Sequence, residues 1–284
     1  MEMLSFITKT VIQMALEEDI GSGDITTNAI IQSNEWGIAK IIAKQDLVVS
    51  GLEMVQYAYD CLSTGIFEFK AQCQEGDLVY SDQVICEIRS KLSTLLKGER
   101  TALNFLQRLS GIASNTREYV NLLHNRSKPI IVDTRKTTPG WRVMEKMAVR
   151  AGGAKNHRMG LYDGILIKDN HINICGGIIP AIERVRKHIS HLIKIEVEVE
   201  NFEQLADALS ANADVIMLDN MSIDQIHQAV HIVKGKALLE VSGGVTMTHL
   251  EQLLDSGVDI ISIGGLTHSA IAVDLSMEIN SLSQ

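Results

Sequence analysis

The C-terminal half of the chain alternates short apolar runs with helical stretches, and this alternation limits the possible folds most strongly. Six runs recur, at residues 130–133, 164–168, 193–199, 214–219, 237–241 and 259–263. Helical periodicity fills the gaps between the later runs, at residues 202–211, 223–233 and 248–256. Strand–helix alternation at steps of ~20 residues predicts βαβ units and a parallel sheet.

A parallel sheet of this kind can be an open doubly wound sheet or a barrel. No G-x-G-x-x-G follows the first run, so the dinucleotide-binding fingerprint of the open sheet is missing. Polar residues or glycines follow most of the runs, at residues 133–136, 168–171, 219–220, 242–244 and 264–265. Functional residues at many strand ends are typical of a barrel. Six strong strands do not by themselves demonstrate a complete eight-stranded barrel.

The N-terminal part has a different pattern. Residues 35–92 read as short strands and turns, with turns at residues 75–77 and 81–82 and a helix at residues 52–62. The first residues predict an amphipathic helix. Its expected apolar face consists of Leu4, Ile7, Val11, Met14 and Ala15.

Charge is unevenly distributed along the chain. The net charge of −9 argues against nucleic acid as the main partner. Residues 135–168 nevertheless contain eight Lys or Arg and two Asp or Glu, a local net charge of +6. A solvated helix face is the ordinary explanation for such a segment. Because these cations stand beside glycines, Pro139 and strand ends, we instead expect a site for a strongly anionic ligand.

The sequence also gives expectations about the cellular compartment and about metal binding. The chain has no stretch of ~18 apolar residues that lacks a charged residue, so we expect no membrane span. The N-terminus lacks the features of a signal peptide, so we expect a cytoplasmic protein. The four cysteines have no metal-ligand spacing and are expected to be free thiols. The pairs His188/His191 and His227/His231 are expected on the surface, away from the strand ends.

Three glutamates alternate with valines in the run 196–200 and therefore share one face of a strand. Both faces of a parallel sheet are normally covered, so such carboxylates must be paired, protonated or bound to a metal. We expect Glu198, with Asp219 from the next strand, to face a divalent cation or ligand hydroxyls. For Glu196 and Glu200, neutralisation by a nearby lysine is an equally good interpretation.

Two glycine pairs and a basic pair complete the candidate site. Ser242-Gly-Gly and Ile263-Gly-Gly end consecutive strands, where the last two loops of a barrel commonly bind phosphate. Glycine lets backbone N–H groups approach a phosphate closely, and the following helix start favours negative charge. Arg135 and Lys136 leave a strand end and can point into the barrel mouth, with His157 and Arg158 as further donors.

Several ordered motifs give the chain a family resemblance. These are residues 19–27, 99–113, Asp133-Thr-Arg-Lys-Thr-Thr-Pro-Gly140, Asn156-His-Arg158, Ile167-Lys-Asp-Asn-His171, 196–200, Leu218-Asp-Asn220, 242–244 and 264–268. The chain resembles the quinolinate phosphoribosyltransferases nearly from end to end. The resemblance implies transfer of phosphoribosyl from phosphoribosyl pyrophosphate to quinolinate with Mg2+. The products would be nicotinate mononucleotide, pyrophosphate and CO2, in NAD biosynthesis.

The resemblance also implies an architecture and an assembly. It implies an α/β protein with an incomplete barrel of six to seven strands and an N-terminal α+β open sandwich. The expected domains are residues 1–110, rejoined by about 271–284, and a barrel at residues 111–270. The resembling enzymes are at least dimers, and the neighbouring subunit completes each site. A homodimer or higher homo-oligomer is therefore expected here, with no nucleic acid or membrane partner.

Residue roles follow from motif matches. Arg100 would reach into the neighbour's site. The substrate carboxylates and phosphates would be held by Arg135, Lys136, His157, Arg158 and Lys168, with Thr134 beside them. Ribose hydroxyls and Mg2+ would be held by Glu198 and Asp219, and Lys136, Glu198 and Asp219 would be catalytic. The 5′-phosphate would be held by Ser242, Gly243, Gly244, Ile263, Gly264 and Gly265.

Two rival interpretations differ in function. A molybdenum-transport-associated protein of similar sequence would share the barrel and differ in its substrate contacts. The string Asp133–Gly140 favours the enzyme over this relative. A non-catalytic binding module is a more distant alternative. The turn at residues 75–77 is vaguely similar to those of lipoyl-carrier sandwiches. It carries no suitably placed lysine, which argues against this alternative.

Overall fold

The computed structural model describes residues 4–32, 34–63, 65, 67–124 and 126–282. The helices are α1 (Phe6–Ile20), α2 (Ile25–Ile30), α3 (Leu52–Leu62), α4 (Leu92–Asn121), α5 (Arg142–Ala151), α6 (Asp169–Cys175), α7 (Ile178–Arg186), α8 (Phe202–Ser210), α9 (Ile223–Val233), α10 (Met247–Leu253) and α11 (Gly265–His268). The strands are β1 (Trp36–Ala43), β2 (Leu47–Val48), β3 (Glu68–Ala71), β4 (Leu78–Val79), β5 (Val84–Lys91), β6 (Ile130–Val132), β7 (Ile165–Ile167), β8 (Ile195–Val199), β9 (Val215–Asp219), β10 (Leu238–Ser242), β11 (Ile260–Ser262) and β12 (Leu275–Ser281).

The chain forms two compact units. Unit 1 comprises Met1–Arg117, Thr137–Gly153 and Thr267–Gln284, and unit 2 comprises Glu118–Lys136 and Ala154–Leu266. The six predicted strands of the C-terminal half are β6 to β11, and all of them lie in unit 2.

Unit 1 contains a four-stranded antiparallel sheet in the order β12-β1-β5-β3. The C-terminal strand β12 pairs with β1 along seven residues, so the end of the chain returns to its N-terminal sheet. Buried aliphatic residues of β1, β5 and α4, such as Ile41, Ile88 and Leu106, form one core cluster. At ~25 cal/mol per Å² of buried apolar surface, such a cluster is the main stabilising contribution to the unit.

The predicted apolar face of α1 is wrong. The helix buries Thr8, Ile12 and Leu16, whereas Ile7 and Met14 are 56% and 64% exposed. Apolar residues occur around most of this helix, so their spacing does not select one face. Tertiary packing makes that choice, and it places Thr8 inside although the residue is polar.

Unit 2 contains a six-stranded parallel sheet in the order β6-β11-β10-β9-β8-β7. Lys155 adds a parallel bridge to Val132 on the outer edge of β6. Among the described residues no strand pairing joins this edge to β7, so the sheet is barrel-like and not closed. The prediction of an α/β fold with an incomplete barrel and a separate N-terminal sheet is confirmed.

Candidate active site

The carboxyl ends of the parallel strands place the predicted site residues along one rim of unit 2. In the sheet register Ser242 stands opposite Asp219, and Ser262 stands opposite Val132. Parallel strands in register bring the residues that follow them to the same edge. The rim therefore carries these predicted residues: Thr134, Arg135, Lys136, Lys168, Glu198, Asp219, Ser242, Gly243, Gly244, Ile263, Gly264 and Gly265.

The positive charges of two guanidinium groups interact in unit 2. The pKa of Arg158 is lowered, first by burial of its charge and then by the positive charge of Arg135. The side chain of Arg158 donates to the carbonyl oxygen of Gly164 over 3.1 Å. Like charges that approach in a partly desolvated place repel each other, and a bound anion relieves this repulsion. The pair is therefore suited to a ligand carboxylate or phosphate.

A buried aspartate holds the segment that carries Arg158. The carboxylate of Asp133 is fully buried and accepts from the backbone N–H of His157 at 2.8 Å. It also accepts from Nδ2 of Asn156 at 2.6 Å. The Lys155 backbone pairs with β6 on the same edge. Residues 155–158 are thus fixed beside the strand that leads to Arg135.

The side chain of His157 turns toward the strands. Its Nε2 lies 3.1 Å from a carboxylate oxygen of Glu196 and 3.6 Å from one of Glu240. Its Nδ1 accepts the backbone N–H of Arg158 at 2.8 Å. Glu196 is thus paired with a histidine.

Glu240 is the most strongly perturbed carboxyl group of this cluster. It is 1% exposed, and its pKa is raised to about 8, first by burial and second by the negative charge of Glu196. A carboxyl group in such a place holds its proton at neutral pH. The cluster of His157, Glu196 and Glu240 therefore contains one protonated acid beside a second carboxyl group.

A second acidic cluster stands at the ends of β8 and β9. Burial raises the pKa of Asp219, and the negative charge of Glu198 raises it further. Lys168 forms an ion pair and hydrogen bond with Glu198. One lysine beside two carboxylates leaves negative charge on this part of the rim. Ribose hydroxyls or a divalent cation would stabilise it.

The end of β10 packs closely against the end of β9. Gly243 has φ +98°, and a Cβ at this position would clash with Oδ1 of Asn220. Asn220 itself has φ +52° and donates from Nδ2 to Asp219 at 2.8 Å. Glycine is therefore required at residue 243 by both its backbone conformation and its neighbour. The close packing links the glycine loop to the acidic cluster.

Other predicted phosphate-site residues differ in what they can offer. Gly244 has φ +58°, and a Cβ there would meet open space. The side chain of Ile263 is buried, so only its backbone can contact a ligand.

At the end of β6 the backbone N–H of Lys136 donates to the hydroxyl of Thr134 at 3.0 Å, and both Arg135 and Lys136 are exposed.

Arg100 is not among the rim residues. It is an exposed residue of α4 and belongs to unit 1. Four residues that support the site were not predicted as site residues: Asp133, Asn156, Asn220 and Glu240. The first three stand inside the family motifs, next to predicted residues, and this adjacency was the available signal. Glu240 precedes Ser242 by two positions and thus shares its strand face.

Two family models match almost the whole chain. The N-terminal domain of quinolinate phosphoribosyl transferase matches residues 24–110, and the C-terminal domain matches residues 112–278. The chain belongs to the quinolinate phosphoribosyltransferase family.

Named relatives agree with this membership. The chain is 44% identical, over 92% of its length and 90% of the relative's, to the probable nicotinate-nucleotide pyrophosphorylase (carboxylating) of Bacillus subtilis. It is 40% identical to the Synechocystis protein of the same name, over 94% of this chain and 91% of the relative. The crystal structure of NadC from Streptococcus pyogenes superposes with a TM-score of 0.94 at 39% identity, and the match covers 100% of both chains.

Among the described residues no helix is long and apolar enough to cross a membrane.

Proposed function

We propose that this member of the quinolinate phosphoribosyltransferase family transfers phosphoribosyl from phosphoribosyl pyrophosphate to quinolinate, with loss of CO2. The products are nicotinate mononucleotide and pyrophosphate, and the enzyme is a pentosyltransferase of NAD biosynthesis. The arrangement of Arg135 and Arg158 on the same side as Glu198 and Asp219 carries this proposal. This arrangement forms a cationic binding site for a dicarboxylate. It also forms an anionic binding site for a sugar that develops positive charge during the reaction.

The cationic side binds quinolinate. Arg135 and Arg158 take the ring carboxylates, for which the fork of a guanidinium is suited, and Lys136 and Lys168 supply point charge toward the phosphates. Thr134 keeps the loop of Lys136 in place through its hydroxyl. A rigid cationic surface orients the ring nitrogen toward the sugar carbon that it attacks.

The anionic side stabilises the ribose. Departure of pyrophosphate leaves an oxocarbenium-like sugar, and fixed carboxylates lower the energy of such a cation. Glu198 and Asp219 are suited to bind ribose hydroxyls and Mg2+. The negative charge of Glu198 raises the pKa of Asp219, and Lys168 supplies only one positive charge for the two carboxylates, so a further cation would stabilise them. Bound Mg2+ would neutralise charge on the pyrophosphate. Lys136 acts beside these acids as a catalytic cation.

The glycine loops bind the 5′-phosphate. Backbone N–H groups near Ser242, Gly243 and Gly244 can approach a phosphate because no side chain stands over Gly244. The backbone of residues 263–265 supplies the second half of the cradle. After attack by the ring nitrogen, the bond between C2 and its carboxylate breaks and releases CO2. The adjacent positively charged ring nitrogen stabilises the electron pair left on C2, and C2 then takes a proton from water.

The site is proposed to be complete only in a homodimer or higher homo-oligomer of a cytoplasmic protein, with Arg100 entering the neighbour's rim. Two observations support this assignment. Arg100 is exposed on α4 in unit 1, and it lies in the motif at residues 99–113 that the family resemblance rests on.

The direct test follows quinolinate at its ultraviolet band after mixing with phosphoribosyl pyrophosphate and Mg2+. We expect loss of quinolinate with one nicotinate mononucleotide formed per molecule consumed. Arg135→Ala should bind quinolinate at least roughly 100-fold more weakly, because a charge-assisted bidentate pair contributes about 3 kcal/mol. Its circular dichroism spectrum should remain that of the wild type.

A matched control for this variant is Arg184→Ala on α7, outside the rim residues. This protein should keep wild-type turnover. Near-normal quinolinate affinity of Arg135→Ala with a native spectrum would contradict the assignment. Binding of quinolinate without any turnover by the wild type would favour a non-catalytic protein of the same fold.

A further inference from the structure

The cluster of His157, Glu196 and Glu240 lies beneath the rim and is used by no step of the proposed reaction. Within the part of the chain that the structure describes, these three groups have the mutual spacing of metal ligands. Nε2 of His157 is 3.1 Å from Glu196 and 3.6 Å from Glu240, and both carboxyl groups are buried. The distances alone permit a metal ion or a hydrogen-bonded network.

The hydrogen bonds of the imidazole decide between these alternatives. Nδ1 accepts the backbone N–H of Arg158, so its lone pair is engaged and it carries no proton. A neutral imidazole then carries its proton on Nε2, and this N–H points at Glu196. A metal at Nε2 would need a lone pair there and would leave both ring nitrogens unprotonated. The donor orientation therefore fits a hydrogen bond and not a metal.

We propose that His157 is a positioning residue that, held by its contact with Glu196, orients Arg158 and does not itself bind a substrate carboxylate. The inference rests on the proposed function, because Arg158 is the group that would bind quinolinate. Both ring nitrogens of His157 are directed to atoms of this chain. The ring connects the interior strands β8 and β10 to the backbone amide of Arg158.

The backbone on either side of the ring is fixed as well. Asp133 accepts the backbone N–H of His157, and Arg158 donates to the carbonyl oxygen of Gly164. The buried carboxyl group of Glu196 thus acts on the substrate through His157 and then through Arg158. A displacement of the guanidinium by about 1 Å is enough to reduce an oriented reaction roughly 100-fold.

Substitution of Glu196 separates a neutral hydrogen bond from an ion pair. In Glu196→Gln the amide oxygen still accepts from Nε2, so we expect the KM for quinolinate to remain within about threefold of the wild type. Glu196→Ala removes the acceptor and should raise this KM roughly 10- to 100-fold, with the KM for phosphoribosyl pyrophosphate nearly unchanged. Equal damage by both variants would indicate an imidazolium ion pair and would overturn the proposal.

The tautomer can be observed directly by 15N NMR of histidine-labelled protein. The His157 signals are assigned by their loss in His157→Gln, and His227→Gln, on the exposed face of α9, is the matched control. We expect one protonated nitrogen, Nε2, and one unprotonated nitrogen, Nδ1, both before and after addition of quinolinate. This spectrum does not depend on turnover or on the folding of the Glu196 variants.

Two other spectra would overturn the proposal. A doubly protonated ring on addition of quinolinate would indicate a direct grip on the substrate. A proton on Nδ1 would indicate that Nε2 is free to bind a metal. If the wild type shows the expected tautomer but no turnover with quinolinate, the proposed function fails while the tautomer and its hydrogen bonds stand.

Discussion

At the scale of single residues, Gly243 shows how one backbone position controls the rim. Alanine there would be strained at φ +98°, and its Cβ would push the side chain of Asn220 away from Asp219. We expect Gly243→Ala to raise the KM for phosphoribosyl pyrophosphate roughly 10- to 100-fold and to lower stability by about 1–3 kcal/mol. Steady-state kinetics and urea unfolding measure the two effects.

A second glycine separates strain from function in this test. Gly235 has φ +75°, a Cβ there would have no atom within 4 Å, and the residue follows α9, outside the rim residues. Gly235→Ala should lose similar stability and keep the wild-type KM. If both variants keep wild-type kinetics, the close packing of Gly243 on Asn220 has no part in substrate binding.

At the scale of secondary structure elements, β8 and β10 bring two carboxyl groups together inside the sheet. The pKa of Glu240 rises from 4.5 to about 8, so between these values the folded protein holds a proton that the unfolded chain releases. The free energy of unfolding should therefore fall as pH rises from 4.5 through 8, by on the order of a few kcal/mol from this group. The stabilisation is complete below pH 4.5.

Glu240→Gln carries no titrating proton at this position. Its free energy of unfolding should decline less than that of the wild type between about pH 5 and about pH 8.5, as measured by urea unfolding at several pH values. Glu251→Gln, at an exposed position of α10, is the matched control and should follow the wild-type curve. Parallel curves for the wild type and Glu240→Gln would show that Glu240 is ionised throughout this range.

At the scale of the whole molecule, the proposed sharing of sites between subunits makes a complementation test possible. Arg100→Ala and Lys136→Ala should each be inactive as pure proteins. Mixed subunits form hybrid dimers in which one of the two sites is intact, so random exchange should restore about a quarter of wild-type activity. Turnover after subunit exchange, with exchange verified by mass spectrometry, measures the rescue.

Two variants on the same rim provide the control for complementation. Arg135→Ala mixed with Lys136→Ala should show no rescue, because each rim of the hybrid then carries one of the two substitutions. Arg100→Ala mixed with Arg135→Ala should behave like the Arg100 and Lys136 pair. Absence of rescue in both Arg100 mixtures, despite proven exchange, would place Arg100 in its own subunit's site or outside any site.

The periodicity of the chain determined the elements, because apolar runs and helical spacing depend on local side-chain patterns. All six barrel strands and helix α3 were predicted from it, and they are observed. The chemistry of the site was also readable, since polar residues and glycines after strands mark the carboxyl rim of a parallel sheet. The domain boundaries, Mg2+ and the individual residue roles stay predictions.

Tertiary structure decided what local patterns leave open. The buried face of α1 depends on its neighbours, because the helix is apolar on several sides. The partners of Glu196 and Glu240 depend on the order of strands in the sheet, in which β9 separates β8 from β10, and this order is not encoded in the spacing of one strand. The direction of the His157 ring depends on the backbone amide of Arg158 and on two strands distant in sequence. Such contacts form only when separate segments meet, so only the folded chain shows them.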